Sequence, residues 1–286
     1  MNEVIQGGLV LEGGGTRAVY STGVIDFFIE KNIYFSSCYG VSAGAVHACS
    51  YLAQQKYRAR DLFVEYINDD RYASFKNLIK TGDYFGKEFS LKEIPYKLLP
   101  YDFETYKKSQ SKFYAVVTNV GTGKAEYLQV HNMDDEGLEN VWASGSMPLM
   151  SRLVEINGNK YLDGGVADSI PVLQSIKDGN EKTVVVCTQH RDYKKEPNKL
   201  ISAIRVKYRK YPEFVKAMEN RHIFYNKTME EINRLEAEGK IFVIRPKEPA
   251  KVGRLEKDKE ILHAWYQTGY NDAKECYEKM MEYLQH

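Results

Sequence analysis

The sequence predicts an α/β fold built on a largely parallel sheet, and three observations carry that expectation. Strand-like apolar runs alternate with helical periodicity over the first fifty residues, and two glycine-rich turns fall where a strand passes into a helix. The 286 residues fit one large α/β domain, with no internal repeat or low-complexity linker to divide them.

The elements follow in order. Gly8–Leu11 reads as a strand, followed by a glycine loop and by a helix over about Arg17–Lys31, where Val19, Val24, Phe27 and Phe28 recur at helical spacing. A second strand over about Ile33–Val41 runs into a second helix starting near Ser42, making a β-α-β-α unit. Further strands are expected at Lys112–Val120 and Ala125–Val130, joined by Gly121-Thr122-Gly123. Others are expected on either side of Asn157-Gly158-Asn159, at Thr183–Thr188 and at Ile241–Arg245. Asp83–Lys108 mixes aromatics and lysines without a clean period. It reads as an irregular connection, with a lid or lipid-contacting insertion as the alternative. Arg191–Lys216 carries nine basic against three acidic residues and reads as a solvated face, with an anionic-lipid site as the alternative. From Lys257 onward Ile261, Trp265, Gly269, Ala273, Cys276 and Met280 form one stripe, the pattern of a core-packed amphipathic helix.

Composition excludes several function classes. Forty basic and 39 acidic side chains leave a formal net charge of +1, so no global field marks a nucleic-acid partner. The four cysteines, Cys38, Cys49, Cys187 and Cys276, lack metal-ligand or disulfide-framework spacing, so free thiols are expected and no metal site. No apolar run is long enough for a membrane span and no leader pattern precedes the first strand, so the expected location is cytoplasmic, with peripheral contact at a membrane surface.

The residues that carry chemistry fall in three places. Gly40-Val41-Ser42-Ala43-Gly44 is a G-x-S-x-G pentapeptide between a strand and a helix, the context of a nucleophile elbow. The nucleophile sits on a tight turn there, so the residues two before and two after it must be small. Gly13-Gly14-Gly15-Thr16-Arg17 opens the first helix, where backbone N–H groups lack intrahelical partners and can receive an oxyanion. If the first two strands pair in parallel, both loops leave the same edge of the sheet. A dinucleotide reading of Gly13-x-Gly15-x-x-Ala18 needs an acidic residue at the end of the second strand, where this chain has Tyr39, Gly40 and Val41; no cofactor is expected. The serine's base is expected in Tyr161-Leu162-Asp163-Gly164-Gly165, where a short strand delivers the Asp163 carboxylate into a sharp turn. None of the six histidines lies in a catalytic pattern, and His47, five positions after Ser42, should face away from it.

The three motifs, in this order, resemble the patatin-like phospholipases, lipid acyl hydrolases with a Ser/Asp dyad. Val117–Val120 with Gly121-Thr122-Gly123 is similar to that family's central strand and turn, Ala143–Pro148 to its A-S-x-x-x-P segment, and Pro171 to the proline after its D-G-G turn. The resemblance runs from about Gly7 to about His190. It implies Ser42 as nucleophile, Asp163 as base, and Gly13, Gly14, Gly15 and Arg17 around the oxyanion. It implies a three-layer α/β sandwich with a central, mostly parallel mixed sheet, in a catalytic core at residues 1–190, with a C-terminal helical elaboration at 191–286 packed on the same domain. Ala18 departs from the glycine the family usually has after the arginine.

The expected activity is hydrolysis of a lipid or small acyl-ester substrate, of phospholipase A or lysophospholipase type, through an acyl-serine and without a metal. Two other readings stand beside it: an α/β-hydrolase triad using His190, His222 or His263, and a catalytically idle lipid-binding or scaffold protein of the same fold.

Overall fold

The computed structural model describes residues 4–285. Strand β1 (Val4–Leu11) passes through a 3-10 turn (Gly15–Ala18) into helix α1 (Val19–Glu30), followed by β2 (Tyr34–Val41) and α2 (Ala43–Leu52). Helices α3 (Arg58–Tyr66) and α4 (Phe75–Thr81), a wide-turned segment (Phe89–Leu98) and α5 (Phe103–Lys107) lead to β3 (Lys112–Asn119). Pro95 lies inside the wide-turned segment, and its missing N–H suits a departure from regular α geometry. Then come β4 (Ala125–Gln129), α6 (Asp135–Gly145), β5 (Val154–Ile156), β6 (Asn159–Asp163), α7 (Val172–Lys177) and β7 (Thr183–Val186). The remainder forms α8 (Ile201–Lys207), the long α9 (Pro212–Ala237), β8 (Phe242–Ile244), α10 (Lys259–Glu275) and α11 (Tyr277–Gln285).

These strands form one mixed sheet in the order β5-β6-β3-β2-β1-β7-β8, with β4 paired to β3 off that path. The β1–β2, β1–β7, β2–β3 and β7–β8 pairs are parallel, and the pairs among β3, β4, β5 and β6 are antiparallel. Strand alternation divides the core. Leu9 and Leu11 face a cluster with Phe27, Phe28, Tyr51 and Trp265, while Val10 faces Tyr225, Met229 and Ile232 of α9. Helices therefore cover both faces, and the architecture is the expected three-layer sandwich.

One register detail sets up the site. Strand β2 pairs with β3 as far as Val41 opposite Val116, and β6 arrives from the other end as far as Asp163 opposite Val117. Because β4 occupies one edge of β3 over Tyr114–Thr118, β2 and β6 share the other edge and meet end to end. The residue after Val41 is Ser42.

Two expectations need correction. The C-terminal stripe is not one helix, since α10 stops at Glu275 and α11 restarts at Tyr277. Ile261 lies 39% exposed and Cys276 falls between α10 and α11, while Trp265, Gly269, Ala273 and Met280 of the stripe are buried as expected, joined by Leu262 and Tyr266. Closeness of the two helices fixes that face: a Cβ at Gly269 would collide with the Tyr20 carbonyl of α1. Asp83–Lys108 is also more than an irregular connection, because Phe85, Leu91, Ile94, Pro95, Tyr101 and Phe103 wall a cavity that reaches Ser42.

Candidate active site

Ser42 sits between β2 and α2 with φ 55° and ψ −125°, a strained conformation for a residue with a side chain. Glycines make the turn possible. A Cβ at Gly40 would come within 2.5 Å of Ala45 Cα, and one at Gly44 would collide with the Leu11 carbonyl. The Ser42 N–H donates to Ser144 Oγ at 2.9 Å, and that hydroxyl donates to the Val116 carbonyl at 2.6 Å, tying the elbow to β3 and α6. The residue is only 8% exposed.

The Ser42 hydroxyl donates to Asp163 Oδ2 at 2.6 Å, with no group between them. The other carboxylate oxygen, Oδ1, accepts the Gly165 N–H at 2.7 Å, while Thr118 Oγ1 donates to the Asp163 carbonyl at 2.9 Å. Burial pushes the Asp163 carboxyl above the usual carboxylate range, and the Ser42 hydroxyl and Arg221 guanidinium pull it back. A carboxylate held dry against a hydroxyl is poised to accept its proton.

The glycine loop lies beside this pair. A Cβ at Gly13 would stand 2.8 Å from Ser42 Cβ, so only glycine allows the loop to press against the elbow. Gly14 and Gly15 adopt φ of 148° and 60°, and the amides of Gly13, Gly14 and Gly15 are not spent on another protein group among the described residues. Arg17 presents its Nε, buried and without a hydrogen-bond partner, while its carbonyl accepts from Trp265 Nε1 at 2.8 Å. Ala18 is fully buried in the 3-10 turn that precedes α1.

Two cavities meet at Ser42. One, of about 130 Å³, is apolar and includes Val46, Leu62, Phe63, Ile94 and Val141. The other, of about 250 Å³, carries the Gly13–Gly15 loop, Arg17, Asp163, Lys195, Arg221 and Arg254. Among the described residues no histidine lines either cavity. His47 is completely buried against Phe63, ring centroids 4.8 Å apart, and burial pulls its imidazole down to about 3. It faces away from Ser42, as its spacing predicts.

Sequence reasoning missed several residues here. In the sequence Ser144 stands out only as part of a motif, and its hold on the elbow amide depends on α6 crossing the end of β3. Lys195 lay in a run read as a solvated face, yet it reaches the second cavity. Arg221 and Arg254 carry no local pattern at all; the Arg221 Nε donates to the Gly165 carbonyl behind Asp163.

Geometry of this kind defines a class, the α/β sandwiches in which a serine on a strand-to-helix elbow stands directly against a carboxylate. Residues 9–176, more than half of the chain, match the family described as Patatin-like phospholipase, and the chain belongs to that family. Residues 211–285 match a second family, described as a domain of unknown function (DUF6363). The chain is 26% identical over 193 residues to the uncharacterized protein YjjU of Escherichia coli, covering 63% of this chain and 51% of that one. It is 24% identical over 190 residues to the probable lipid hydrolase 463L of Invertebrate iridescent virus 6, covering 61% of this chain and 64% of that one. Over 140 residues it is 25% identical to the mouse 1-acylglycerol-3-phosphate O-acyltransferase Pnpla3, covering 48% of this chain and 33% of that one. The matches thus span between a third and about two thirds of these relatives' lengths. Among solved structures, VipD from Legionella pneumophila superposes with a TM-score of 0.46 at 14% identity, covering 99% of this chain and 67% of that one.

Proposed function

We propose that this protein is a serine hydrolase of fatty acyl esters, of phospholipase A or lysophospholipase type, working through a Ser42/Asp163 dyad. The observation that carries the reading is the 2.6 Å hydrogen bond from Ser42 to Asp163 at the point where an apolar and a polar cavity meet. The acyl chain occupies the apolar cavity, which places the ester carbonyl over Ser42. Ser42 Oγ forms a bond to the carbonyl carbon while its proton passes to Asp163, and the carbonyl π pair moves onto the oxygen. That oxyanion is received by the glycine-loop amides, each such donor contributing on the order of 3 kcal/mol. Collapse breaks the bond to the leaving alcohol, which takes the proton from Asp163. Water then attacks the acyl-Ser42 ester with Asp163 again as base, releasing the fatty acid and restoring the serine.

Peripheral contact with a lipid surface belongs to the same reading. Tyr96 and Leu98, 54% and 44% exposed, sit on the segment that walls the acyl cavity, and Phe75 and Ile79 of α4 are 64% and 87% exposed. No helix among the described residues is long and apolar enough to cross a membrane.

A fluorophosphonate probe tests the assignment. Wild-type protein is expected to be labelled at one serine, Ser42→Ala to lose the label, and Asp163→Asn to be labelled far more slowly. Labelling that survives intact in Ser42→Ala overturns the nucleophile assignment.

A further inference from the structure

The second cavity holds more positive charge than the reaction itself requires. Arg17, Lys195, Arg221 and Arg254 all contribute to its wall, and none forms an ion pair within 4 Å among the described residues. Among the described residues only Glu12 and Asp163 supply negative charge there, and both carboxylates are already committed. Glu12 accepts Tyr225 Oη at 2.7 Å and the Thr188 N–H at 2.6 Å, while Asp163 accepts Ser42 and Gly165.

Two of these side chains, Lys195 and Arg221, have protein contacts that are not ion pairs. The Lys195 ammonium lies 4.1 Å from the Tyr225 ring centroid, the Arg17 Nε is buried with no partner, and burial, then the Arg17 charge, lowers the Arg254 guanidinium. Burial, followed by the neighbouring Arg221 and Arg254 charges, pulls the Lys195 ammonium down to about 6, so near neutral pH it gives up its proton readily and regains it beside a bound anion. Burial and Arg254 bring Arg221 down to about 10. Like charges gathered in a partly dry cavity raise one another's free energy, and an anion bound among them relieves that cost.

We propose that this cavity binds a phosphate group beside the reacting ester. The inference rests on the hydrolase reading for its role, since an acyl ester at Ser42 would extend its chain into the apolar cavity and its polar end among the cations. Guanidinium forks match phosphate oxygens bidentately, and no carboxylate of the wall is free to compete. Arg221 and Arg254 belong to the segment that matches the domain of unknown function, whereas Arg17 belongs to the patatin-like segment. The C-terminal region therefore contributes substrate recognition to the active site and not only packing. The phosphate has two sources, the headgroup of the ester being cleaved and free phosphate ion.

Matched substrates separate these sources. The kcat/KM values of 1-octanoyl-glycerol and 1-octanoyl-glycerol 3-phosphate, both below their aggregation concentrations, are measured for the wild type, Lys195→Met and Arg254→Gln. Arg221 is left intact because it holds the Gly165 carbonyl behind Asp163. In a second arm, inorganic phosphate is titrated as an inhibitor of the neutral ester and as a ligand raising Tm, for the same three proteins.

A headgroup subsite predicts that the wild type prefers the phosphorylated ester, and that each substitution lowers that preference about tenfold, the loss of roughly one charge-assisted contact. Equal turnover of the two esters, with phosphate inhibition and a Tm rise that both weaken in the variants, assigns the site to free phosphate. No preference together with no variant-sensitive phosphate effect overturns the proposal. So does an equal loss on both esters, which would make the cations general electrostatic support for catalysis. If neither ester is cleaved and Ser42 takes no probe, the hydrolase reading fails, and the phosphate-dependent Tm still decides whether the cavity binds phosphate.

Discussion

Replacing His47 with leucine provides a quantitative test of how the elbow helix is supported. His47 is fully buried on α2, both ring nitrogens lack hydrogen-bond partners, and its imidazole is held neutral down to about pH 3. In the unfolded chain it takes up a proton near pH 6.5. The folded-state value is therefore depressed, so the unfolded state binds more protons between these limits and stability falls as pH drops below about 6.5. Between pH 8 and pH 5 this linkage costs the wild type about 2 kcal/mol, at 1.36 kcal/mol per pH unit below the unfolded-state value. His47→Leu lacks the titrating group. Urea unfolding of both proteins at the two pH values is expected to show the variant gaining about 2 kcal/mol on the wild type at the lower pH. A constant difference would show that the imidazole is not held neutral in the folded protein. The same variant also reports on the chemistry, because a Ser/Asp dyad needs no imidazole. Turnover should persist in a folded His47→Leu protein, since His47 lines neither cavity.

Other consequences can be measured independently. Asp163 must be ionised to accept the serine proton, and burial raises its carboxyl, so kcat/KM should fall on acidification at a pH above the ordinary carboxylate range; Asp163→Asn should lower it by about 10²- to 10⁴-fold. The raised carboxyl favours the protonated folded form, a contribution present at low pH and lost as pH rises through the folded-state value, so Asp163→Asn should raise Tm at pH 7.5, read by calorimetry. Ser144→Ala strands the Ser42 N–H and the Val116 carbonyl, and chemical denaturation should show a loss of about 1–3 kcal/mol together with a lower kcat. Ile94→Trp should fill part of the apolar cavity; on a series of acyl esters of increasing length it should lower kcat/KM for the long chains, at about 0.8 kcal/mol per excluded methylene.

Much of the site could be read in the sequence because its parts are locally encoded. The elbow needs Gly40 and Gly44 two positions either side of Ser42, and the loop beside it needs consecutive glycines at a helix start, so short-range spacing betrays both. The parallel pairing of the first two strands followed from the same unit and is present in the sheet. What spacing alone could not supply was the approach of Asp163 to Ser42, which is set by the register of two strands on β3, 121 residues apart along the chain. Lys195, Arg221 and Arg254 were hidden for a related reason. Each is an ordinary surface-type residue until α9 and the loop before α10 fold back over the strand ends, and a basic run looks alike whether it meets solvent or a cavity. Ile261 shows a smaller error: helical periodicity picks out the stripe through Trp265, Gly269 and Ala273 that packs on α1, but in the first turn of α10 the buried position is Leu262 and not Ile261.

The end-to-end meeting of β2 and β6 makes the spacing of Ser42 and Asp163 a matter of strand length. Adding one residue to either strand would advance its tip by about 3.3 Å and turn every later side chain to the opposite side of the sheet. The ladder on β3 thus works as a ruler with the hydroxyl and the carboxylate at adjoining marks. Segments outside that ruler, such as the wall of the apolar cavity, can change length and shape without moving Ser42 or Asp163.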